Sequence, residues 1–335
     1  MAARPTLKHV AEHAGVSFKT VSRVVNDEAG VSPAMAARVR AAIDELGYRR
    51  NRSAQVLRRA DARLGTVAVV HADSANPFAA AVHAAFEEHL RTAADTVVLS
   101  ASSHEDPEEH DRLVDLFVER QVDGLAVIPV SDAPGPSLSR ELERRTPIVF
   151  IDREPGVEAD VVTSDHRGGA HAATTHLLAH GHRRIAFLGS REHSGSIRER
   201  FAGFDAAIVD AGGAEPIVRF GLTSADLADR AVTDLLTGPD APTALFAAQN
   251  LTAAGAVRAL HRLGRHHDVA LVAFDHVEIA DLVEPGITTV PQNAEELGRT
   301  AAELLLRRID GDLGEATRIT VPVGLVARGS GEITP

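Results

Sequence analysis

Residues 6–26 of the chain have the sequence TLKHVAEHAGVSFKTVSRVVN. Thr6 is a good helix N-cap, and the apolar residues at positions 7, 10, 11 and 14 then fall on one helical stripe. Gly15 can take the positive φ of a tight corner, and Ser17 can cap a second helix that runs from Phe18 to about Asn26. The stretch therefore predicts two short helices joined by a turn, an arrangement whose second helix can enter the major groove of DNA.

A third helix is predicted after this pair. Ser32 can cap it, Pro33 suits its first position, and Gly47 ends it. Its predicted inward-facing residues are Met35 or Ala36, Val39, Ala42, Ile43 and Leu46. Three short helices that cover one another favour a DNA-binding head over a generic helical bundle.

The charge is divided unevenly along the chain. Residues 1–64 carry 12 Lys and Arg against 6 Asp and Glu, whereas the remaining residues carry 23 against 41. A basic head on an acidic body concentrates the attraction for phosphate in one place. A solvated basic tail is the alternative, and the apolar periodicity of the head argues against it.

Length and composition limit the class of protein. The 335 residues are enough for two or three compact units, and 44% hydrophobic and 24% charged residues are typical of a soluble globular protein. No apolar run approaches the roughly 18 residues of a membrane-spanning helix, and the N-terminus lacks the apolar core of a secretory signal. Cysteine is absent, which excludes disulfides and thiolate metal sites. These features predict a cytoplasmic protein.

From Leu64 onward, short apolar runs alternate with amphipathic stretches. The predicted strands are Thr66–His71, Thr96–Ser100, Gly124–Val130, Ile148–Asp152, Ile185–Gly189, Ala244–Ala248 and Val269–Phe274. The predicted helices are Pro77–Thr92, Pro107–Arg120, Gly168–Ala179, Arg198–Ala211, Leu251–Leu263 and Ala294–Ile309. This alternation predicts an α/β body of two doubly wound parallel-sheet subdomains, with a ligand cleft beyond the C-terminal strand ends.

Head and body together resemble one known family. The run 6–26, with residues 31–33, 42–48 and 51–57, is similar to the head of the lac repressor (LacI/GalR) family. The body is similar to that family's sensor at Asn76-Pro77-Phe78, 150–153, 181–186, 200–204, 273–275 and 327–330. The resemblance implies a three-helix helix-turn-helix head at 1–50, a hinge helix and linker at 51–63, and a periplasmic-binding-protein-like sensor at 64–330. The sensor subdomains would be 64–163 with 293–322, and 164–292 with 323–330.

The resemblance also implies which residues of the head contact DNA. Phe18, Lys19 and Arg23 would read base edges, which suits their chemistry because Arg23 can bond guanine bidentately and Phe18 can lie on a thymine methyl. The resemblance implies that a further four residues mainly contact the DNA backbone, namely Ser17, Thr20, Ser22 and Asn26. It also implies a DNA contact for Leu7. Packing of Phe18 inside the head and simple phosphate neutralisation by Lys19 are the alternatives.

Residues 51–59 could form two helical turns, which are too short to be stable alone in water. The resemblance implies that this segment folds only when two copies meet in the operator's minor groove, where Leu57 wedges into a central base step. Asn51, Ala54 and Gln55 complete the implied DNA contacts. Arg50 stands where many relatives have proline, which removes a rigid helix start. A plain flexible linker is the alternative.

Several polar residues of the body lie where a ligand cleft is predicted. Asp152 and Asp275 each end a predicted strand, Arg200 supplies a planar fork of donors, and Phe78 offers an apolar face to a sugar or base. The resemblance adds Ser196, Thr223 and Gln249 as cleft-wall positions. Thr223 replaces an aromatic residue of some relatives, and Gln249-Asn250 replaces a more usual Asn-Asp pair. Strand-end capping or surface ion pairing is the alternative for these residues.

The sequence carries no pattern that predicts catalysis or a metal site. His176 and His180 could share a helix face, but no His-Glu-x-x-His motif and no nearby carboxylate set accompanies them. No Gly-x-Ser-x-Gly, Gly-x-x-x-x-Gly-Lys or Gly-x-Gly-x-x-Gly motif occurs. We therefore expect no cofactor, no metal and no enzymatic activity.

The features together predict a sequence-specific DNA-binding regulator. One small head makes few contacts, so we expect a homodimer on a near-palindromic operator, with no membrane partner. A small-molecule effector of sugar or nucleoside type between the subdomains would control DNA affinity allosterically. Repression is the leading expectation and activation the alternative, and a solute-binding receptor is disfavoured. Tetramer formation is disfavoured because no leucine heptad follows residues 328–330.

Overall fold

The computed structural model describes residues 5–26, 28–48, 64–94, 96–212 and 216–335. The chain divides into two compact units, Met1–Leu64 and Gly65–Pro335. The predicted hinge contacts Asn51, Ala54, Gln55 and Leu57 lie outside the described residues. We refer to the two units as the head and the body.

Three helices make up the described part of the head: α1 (Leu7–Ala14), α2 (Phe18–Val25) and α3 (Pro33–Leu46). Val10, Val21 and Val39 are fully buried where the helices meet. The predicted choice between Met35 and Ala36 is decided in favour of Ala36, which packs against this core, whereas Met35 is 40% exposed. The guanidinium of Arg38 donates to the carbonyl of Ala14 at 2.6 Å and so ties α3 to the end of α1.

The body alternates strands and helices as predicted. Its strands are β1 (Thr66–His71), β2 (Val97–Ser102), β3 (Gly124–Val127), β4 (Ile148–Ile151), β5 (Asp160–Ser164), β6 (Ile185–Leu188), β7 (Ile217–Arg219), β8 (Ala244–Ala247), β9 (Ala270–Phe274), β10 (Thr288–Val290) and β11 (Arg318–Val321). Its helices are α4 (Pro77–Ala94), α5 (Pro107–Glu119), α6 (Pro136–Glu143), α7 (His166–Ala179), α8 (Gly195–Asp210), α9 (Ala225–Thr237), α10 (Asn250–Arg262) and α11 (Ala294–Ile309).

Among the described residues the strands form two parallel sheets. The first has the order β11-β5-β4-β3-β1-β2 and the second the order β10-β9-β8-β6-β7. Apolar strands such as β3 and β4 are buried along their whole length, because helices cover both faces of each sheet. The fold is therefore the predicted α/β architecture with a helix-turn-helix head.

Each sheet and its helices form one lobe of the body. In the first lobe α4 and α11 pack against one face of the sheet and α5 and α6 against the other. In the second lobe α7 and α8 cover one face and α9 and α10 the other. The chain crosses from the first lobe to the second after β5, returns after β10 to form α11 and β11, and then crosses again.

Candidate functional site

The start of α2 is held by two neighbouring side chains. The hydroxyl of Ser17 accepts a hydrogen bond from the backbone N–H of Thr20 at 3.1 Å, and the two hydroxyl oxygens are 2.9 Å apart. Gly15 takes a φ of 60° at the corner between α1 and α2. Two of the four residues that the resemblance assigns to the DNA backbone therefore also cap the start of α2.

The predicted base-reading residues occupy the same helix but differ in exposure. Phe18 is 37% exposed and Lys19 is exposed, which favours surface positions over packing of Phe18 inside the head. Arg23 is partly buried near the C-terminal end of α2. Leu7 is partly buried and packs against the head core.

The remaining polar residues of the predicted DNA-binding face are partly buried. Ser22 lies in the middle of α2, and Asn26 is its C-cap residue. The side-chain amide of Asn26 donates to the carboxylate of Glu28 at 3.3 Å. The face therefore mixes an exposed aromatic ring, a cation and amide and hydroxyl groups, which is the chemistry that DNA grooves and phosphates require.

In the body, two aspartates directly follow strands of different sheets. Asp152 follows β4 of the first sheet and Asp275 follows β9 of the second, with φ values of 69° and 78°. Positive φ is uncommon for a non-glycine residue and turns the chain sharply at the strand end. Both side chains are buried, so the two carboxylates lie inside the body rather than in solvent.

Arg200 on α8 connects the carboxylate of the second sheet to other buried groups. Its Nη2 lies 3.1 Å from Oδ1 of Asp275, and its Nη1 donates to the carbonyl of Ala248 at 2.6 Å. The guanidinium also lies 3.9 Å from the centre of the Phe274 ring. Because the side chain is only 4% exposed, these contacts take place away from water and fix the plane of the guanidinium.

His166 continues this chain of contacts toward the first sheet. Its Nδ1 lies 3.3 Å and 3.4 Å from Nη2 and Nε of Arg200, and its Nε2 lies 2.9 Å from the backbone carbonyl of Asp152. Burial and the positive charge of Arg200 lower the pKa of His166 to about 3. The ring is therefore neutral at pH 7.

A second ion pair lies beside Asp152. Arg153 donates to both carboxylate oxygens of Glu105 at 3.0 and 2.8 Å and to the carbonyl of Pro129 at 3.0 Å. Burial would raise the pKa of Glu105, but the hydrogen bonds and charge of Arg153 lower it overall. Burial raises the pKa of Asp152, despite the nearby charges of Arg153 and Arg200. We call Asp152, His166, Arg200 and Asp275 the cleft chain.

Two residues that the predicted site did not include complete the surroundings of Asp275, Gln292 through its side-chain amide and Asn250 through its backbone. Gln292 donates from Nε2 to Oδ1 of Asp275 at 2.6 Å, and the backbone N–H of Asn250 donates to Oδ2 at 3.3 Å. The side-chain amide of Asn250 donates to that of Asn76 at 2.9 Å and thereby links the two lobes. Gln292 lies two residues before the predicted start of α11, and that position was the available signal.

Several buried polar atoms at this junction are unsatisfied. Within the described residues Oδ1 of Asp152, Nε of Arg153, Oγ of Ser164 and Oε1 of Gln292 have no hydrogen-bond partner. Buried polar groups are normally paired, so such a group calls for a ligand or a water molecule. Three of the four atoms can accept a hydrogen bond, which suits a ligand rich in hydroxyl or N–H groups.

The other predicted cleft residues are less closely engaged. Phe78 on α4 packs against the core of the first lobe, and its N–H bonds to the side chain of Asn76 at 3.0 Å. Ser196 is buried in the first turn of α8, with its hydroxyl 3.3 Å from that of Ser194. Gln249 is partly buried before α10, and Thr223 is exposed after β7. Their roles as cleft walls stay predictions.

Two further properties of the described residues concern partners. No group of three or more His, Cys, Asp or Glu side chains among them is arranged to hold a metal ion. None of the helices in the described ranges combines the length and the apolar character that crossing a lipid bilayer requires.

Comparison with known protein families gives two matches. Residues 6–51 match the bacterial regulatory proteins of the lacI family, and residues 174–331 match the periplasmic binding protein-like domain. The regulator CelR of Thermobifida fusca is 36% identical over 98% of both chains. The ribose operon repressor of Escherichia coli is 31% identical over 97% of this chain and 99% of its own.

Solved structures are similar over the same extent. A lac repressor dimer bound to operator and an anti-inducer has a TM-score of 0.86 at 28% identity, and 98% of this chain and 99% of that one are covered. A complex of the regulator CelR with cellobiose has a TM-score of 0.72 at 34% identity, with 98% and 100% covered. The similarity therefore extends over head and body alike.

Proposed function

This chain belongs to the lacI family of bacterial regulatory proteins, and from that membership we infer that it is a transcriptional repressor controlled by a small molecule. The head would bind a near-palindromic operator as part of a homodimer in the cytoplasm. The solved lac repressor dimer on its operator supports this arrangement, since it shares the fold of this chain over nearly its whole length.

The effector site is proposed to lie between the lobes. We assign the lobes to residues 64–163 with 293–322 and to 164–292 with 323–330. The observation that carries this proposal is the cleft chain, which runs from the end of β4 to the end of β9 through contacts of 2.9 to 3.3 Å. Carboxyl ends of parallel strands are the usual place for a ligand in such sheets.

The chemistry of the site favours an uncharged polyhydroxylated or nucleoside-type effector. The positive charge of Arg200 already faces Asp275, and that of Arg153 already faces Glu105. The unsatisfied atoms of Asp152 and Gln292 are hydrogen-bond acceptors. The cellobiose complex of CelR supports a sugar as the first class to test.

The proposal treats the chain as a binding protein without catalytic turnover. The carboxylate of Asp275 is engaged by Arg200, Gln292 and a backbone N–H rather than aimed at an open reaction centre. A bound effector recovered chemically unchanged after prolonged incubation supports this, and steady conversion contradicts it.

The test begins with thermal-shift screening of sugars and nucleosides on the full chain, followed by operator binding with each hit. We expect the Asp275→Asn variant to bind operator with the affinity of the unmodified chain and to lose the response to the hit. The reason is that an amide cannot keep the ion pair with Arg200 and the hydrogen bond from Gln292 together. A full effector response from this variant contradicts the proposed site.

The matched control is Asp226→Asn in the same lobe. Asp226 pairs with Arg258 on the exposed surface, where ion pairs contribute little to stability. We expect this variant to keep both operator binding and the effector response. In cells, loss of the whole chain should raise transcription from the operator-bearing promoter, and a fall instead would indicate activation.

A further inference from the structure

We propose that His166 is a positioning residue of the effector site, which holds the guanidinium of Arg200 in place and ties it to the backbone of the first lobe. This inference rests on the proposed function and deepens it. It concerns a residue that neither the predicted site nor the family resemblance had included.

The hydrogen bonds of His166 define one state of its ring. A carbonyl oxygen can only accept, so Nε2 must carry the proton that reaches Asp152 at 2.9 Å. Nδ1 faces the donors Nε and Nη2 of Arg200 at 3.4 and 3.3 Å, so it must present its lone pair. A neutral ring protonated at Nε2 satisfies both neighbours, whereas a doubly protonated ring would point an N–H group at a guanidinium.

The surroundings hold the ring in this neutral state. The charged groups that face it are Arg200 on α8, Asp152 and Arg153 after β4, and Asp275 after β9. The ring of Phe274 lies on a further side, with the two ring centres 6.0 Å apart. Burial and the Arg200 charge outweigh the hydrogen bond to the Asp152 carbonyl and the charge of Asp275, and they lower the pKa of His166 to about 3.

His166 also occupies a special place in the fold. It is the first residue of α7, directly after the point where the chain crosses from β5 of the first lobe to the second. His166 does not cap α7, because the side chain of Asp165 accepts a hydrogen bond from the backbone N–H of Gly168 and forms the N-cap. The ring instead connects α8 of the second lobe with the end of β4 in the first.

A rotation between the lobes would consequently change the site. If the end of β4 moves away from α8, His166 cannot keep both hydrogen bonds, and Arg200 loses one of the groups that aim it at Asp275. Lobe closure and assembly of the effector site are then one event. The contacts of His166 thus differ between the two lobe arrangements, and coupling between effector binding and DNA binding requires contacts that differ in this way.

The first experiment measures the protonation state and the tautomer of the His166 ring. It uses nitrogen NMR of the imidazoles in the full-length chain without effector or DNA. The resonances lost in the His166→Asn variant identify His166. We expect a neutral ring protonated at Nε2 that persists from pH 7 to pH 5. A ring protonated at Nδ1, or one that titrates between pH 5 and pH 7, overturns the proposal.

The second experiment measures the separation of the lobes. The chain contains no cysteine, so Glu119→Cys in the first lobe and Asp234→Cys in the second give two unique spin-label sites. Both positions are exposed. In the absence of effector we expect His166→Ala to broaden the distance distribution or to shift its mean by more than about 2 Å, which is the scale of domain rearrangements.

Two further variants separate positioning from packing. Asparagine can donate to the Asp152 carbonyl and accept from Arg200, so His166→Asn should return the distribution toward that of the unmodified chain. His166→Ala changes the unfolding equilibrium constant by some factor in the unmodified chain. In a chain that already carries Arg200→Lys, we expect that factor to be at least about threefold smaller. An unchanged distribution in His166→Ala, no rescue by asparagine, or additive effects overturn the proposal.

These measurements use neither effector nor operator. A failed effector screen would therefore count against the proposed function, while these measurements would still decide whether His166 holds Arg200 and connects it to the first lobe. A successful screen combined with an unchanged lobe separation in His166→Ala would reject only the inference.

Discussion

Two buried histidines connect protonation to stability at the level of single residues. The pKa of His166 is lowered to about 3 by burial and Arg200, and that of His71 to about 4 by burial and His83. An unfolded histidine titrates near 6.5. Between these values the unfolded chain binds protons that the folded chain does not, so the free energy of unfolding is largest above pH 6.5 and falls as the pH decreases.

The contribution of His166 to the pH dependence of stability can be measured as the slope of the unfolding free energy against pH. Each such group contributes up to about 1.4 kcal/mol per pH unit, since that is the free energy of one proton per unit. We expect His166→Asn to reduce the slope of unfolding free energy against pH between 5 and 6 by about 1 kcal/mol per unit. Urea denaturation across this range checks it.

His104→Asn is the control for this measurement. His104 is exposed and has a φ of 53°, which asparagine tolerates well. The slope of this variant should match that of the unmodified chain. An unchanged slope in His166→Asn would show that the ring is protonated in the folded chain as readily as in the unfolded chain.

Arg23 is the residue of the head from which we expect base reading. A bidentate contact to guanine contributes about 1–3 kcal/mol of discrimination against another base. Arg23→Ala should therefore lower affinity for the operator by that amount and relax the preference at one position in each half-site. Binding to a library of operator variants measures this effect.

Lys8→Ala provides the comparison, because Lys8 is an exposed cation on α1 rather than on α2. It should weaken binding to every sequence alike or leave it unchanged. If Arg23→Ala weakens random and operator DNA equally, Arg23 is a phosphate contact only.

At the level of elements, glycine allows the closest helix pairs to form. A Cβ on Gly298 of α11 would lie 2.4 Å from the carbonyl oxygen of Val82 on α4, and one on Gly203 of α8 would lie 2.1 Å from that of Arg167 on α7. Neither carbonyl can move without moving its helix. The backbones touch at these points, one in each lobe.

Replacement of either glycine by alanine should therefore destabilise its lobe. Overpacking of this kind costs about 1–3 kcal/mol, even though alanine is the better helix former. Gly324→Ala is the control, because a Cβ there meets no atom within 4 Å. Thermal unfolding of the three variants tests the claim, and equal stability of all three would show that the helices can move apart freely.

The sequence predicted the elements that have a clear apolar run and clear end signals, and it missed six others that the structure describes. Helix Ala294–Ile309 and strand Thr66–His71 have the predicted bounds, because each combines a clear apolar period with clear end signals. Strands β5, β7, β10 and β11 and helices α6 and α9 were not predicted. Strands such as Ile217–Arg219 and Thr288–Val290 have three residues and no period of their own, so only pairing with a neighbour makes them strands.

The residues of the site likewise divide into those that the sequence predicted and those that it missed. Asp152 and Asp275 were predicted because a carboxylate after an apolar strand is visible in the sequence. His166 and Gln292 were missed, since each lies just beyond a short strand that was itself missed, at a crossing between the lobes. These two residues belong to the site because of contacts with residues distant in the sequence, and no local sequence pattern indicates such contacts.

For the whole molecule, the two binding events should differ in their response to salt. The head carries an excess of positive charge and the body an excess of negative charge. A protein that makes 6–10 phosphate contacts loses about 10³–10⁵ in affinity between 50 and 200 mM salt. We expect operator binding to follow this behaviour when it is titrated across that range.

Effector binding should respond much less. The charged groups of the cleft are buried and face one another, as Arg200 faces Asp275 at 3.1 Å, so they attract few ions from solution. A change below about twofold over the same salt range is expected by calorimetry. A steep salt dependence would indicate a charged effector.

The order of strands has a consequence for biosynthesis. All strands and helices of the second lobe lie between His166 and Val290, whereas the first lobe needs α11 and β11, which pair with α4 and β5 from far upstream. Arg308 clamps Asp160 across that gap with two hydrogen bonds of 2.6 and 2.9 Å. As the chain leaves the ribosome, the strands and helices of the later lobe can therefore form before the earlier lobe receives α11 and β11, and residues 323–330 complete the later lobe last.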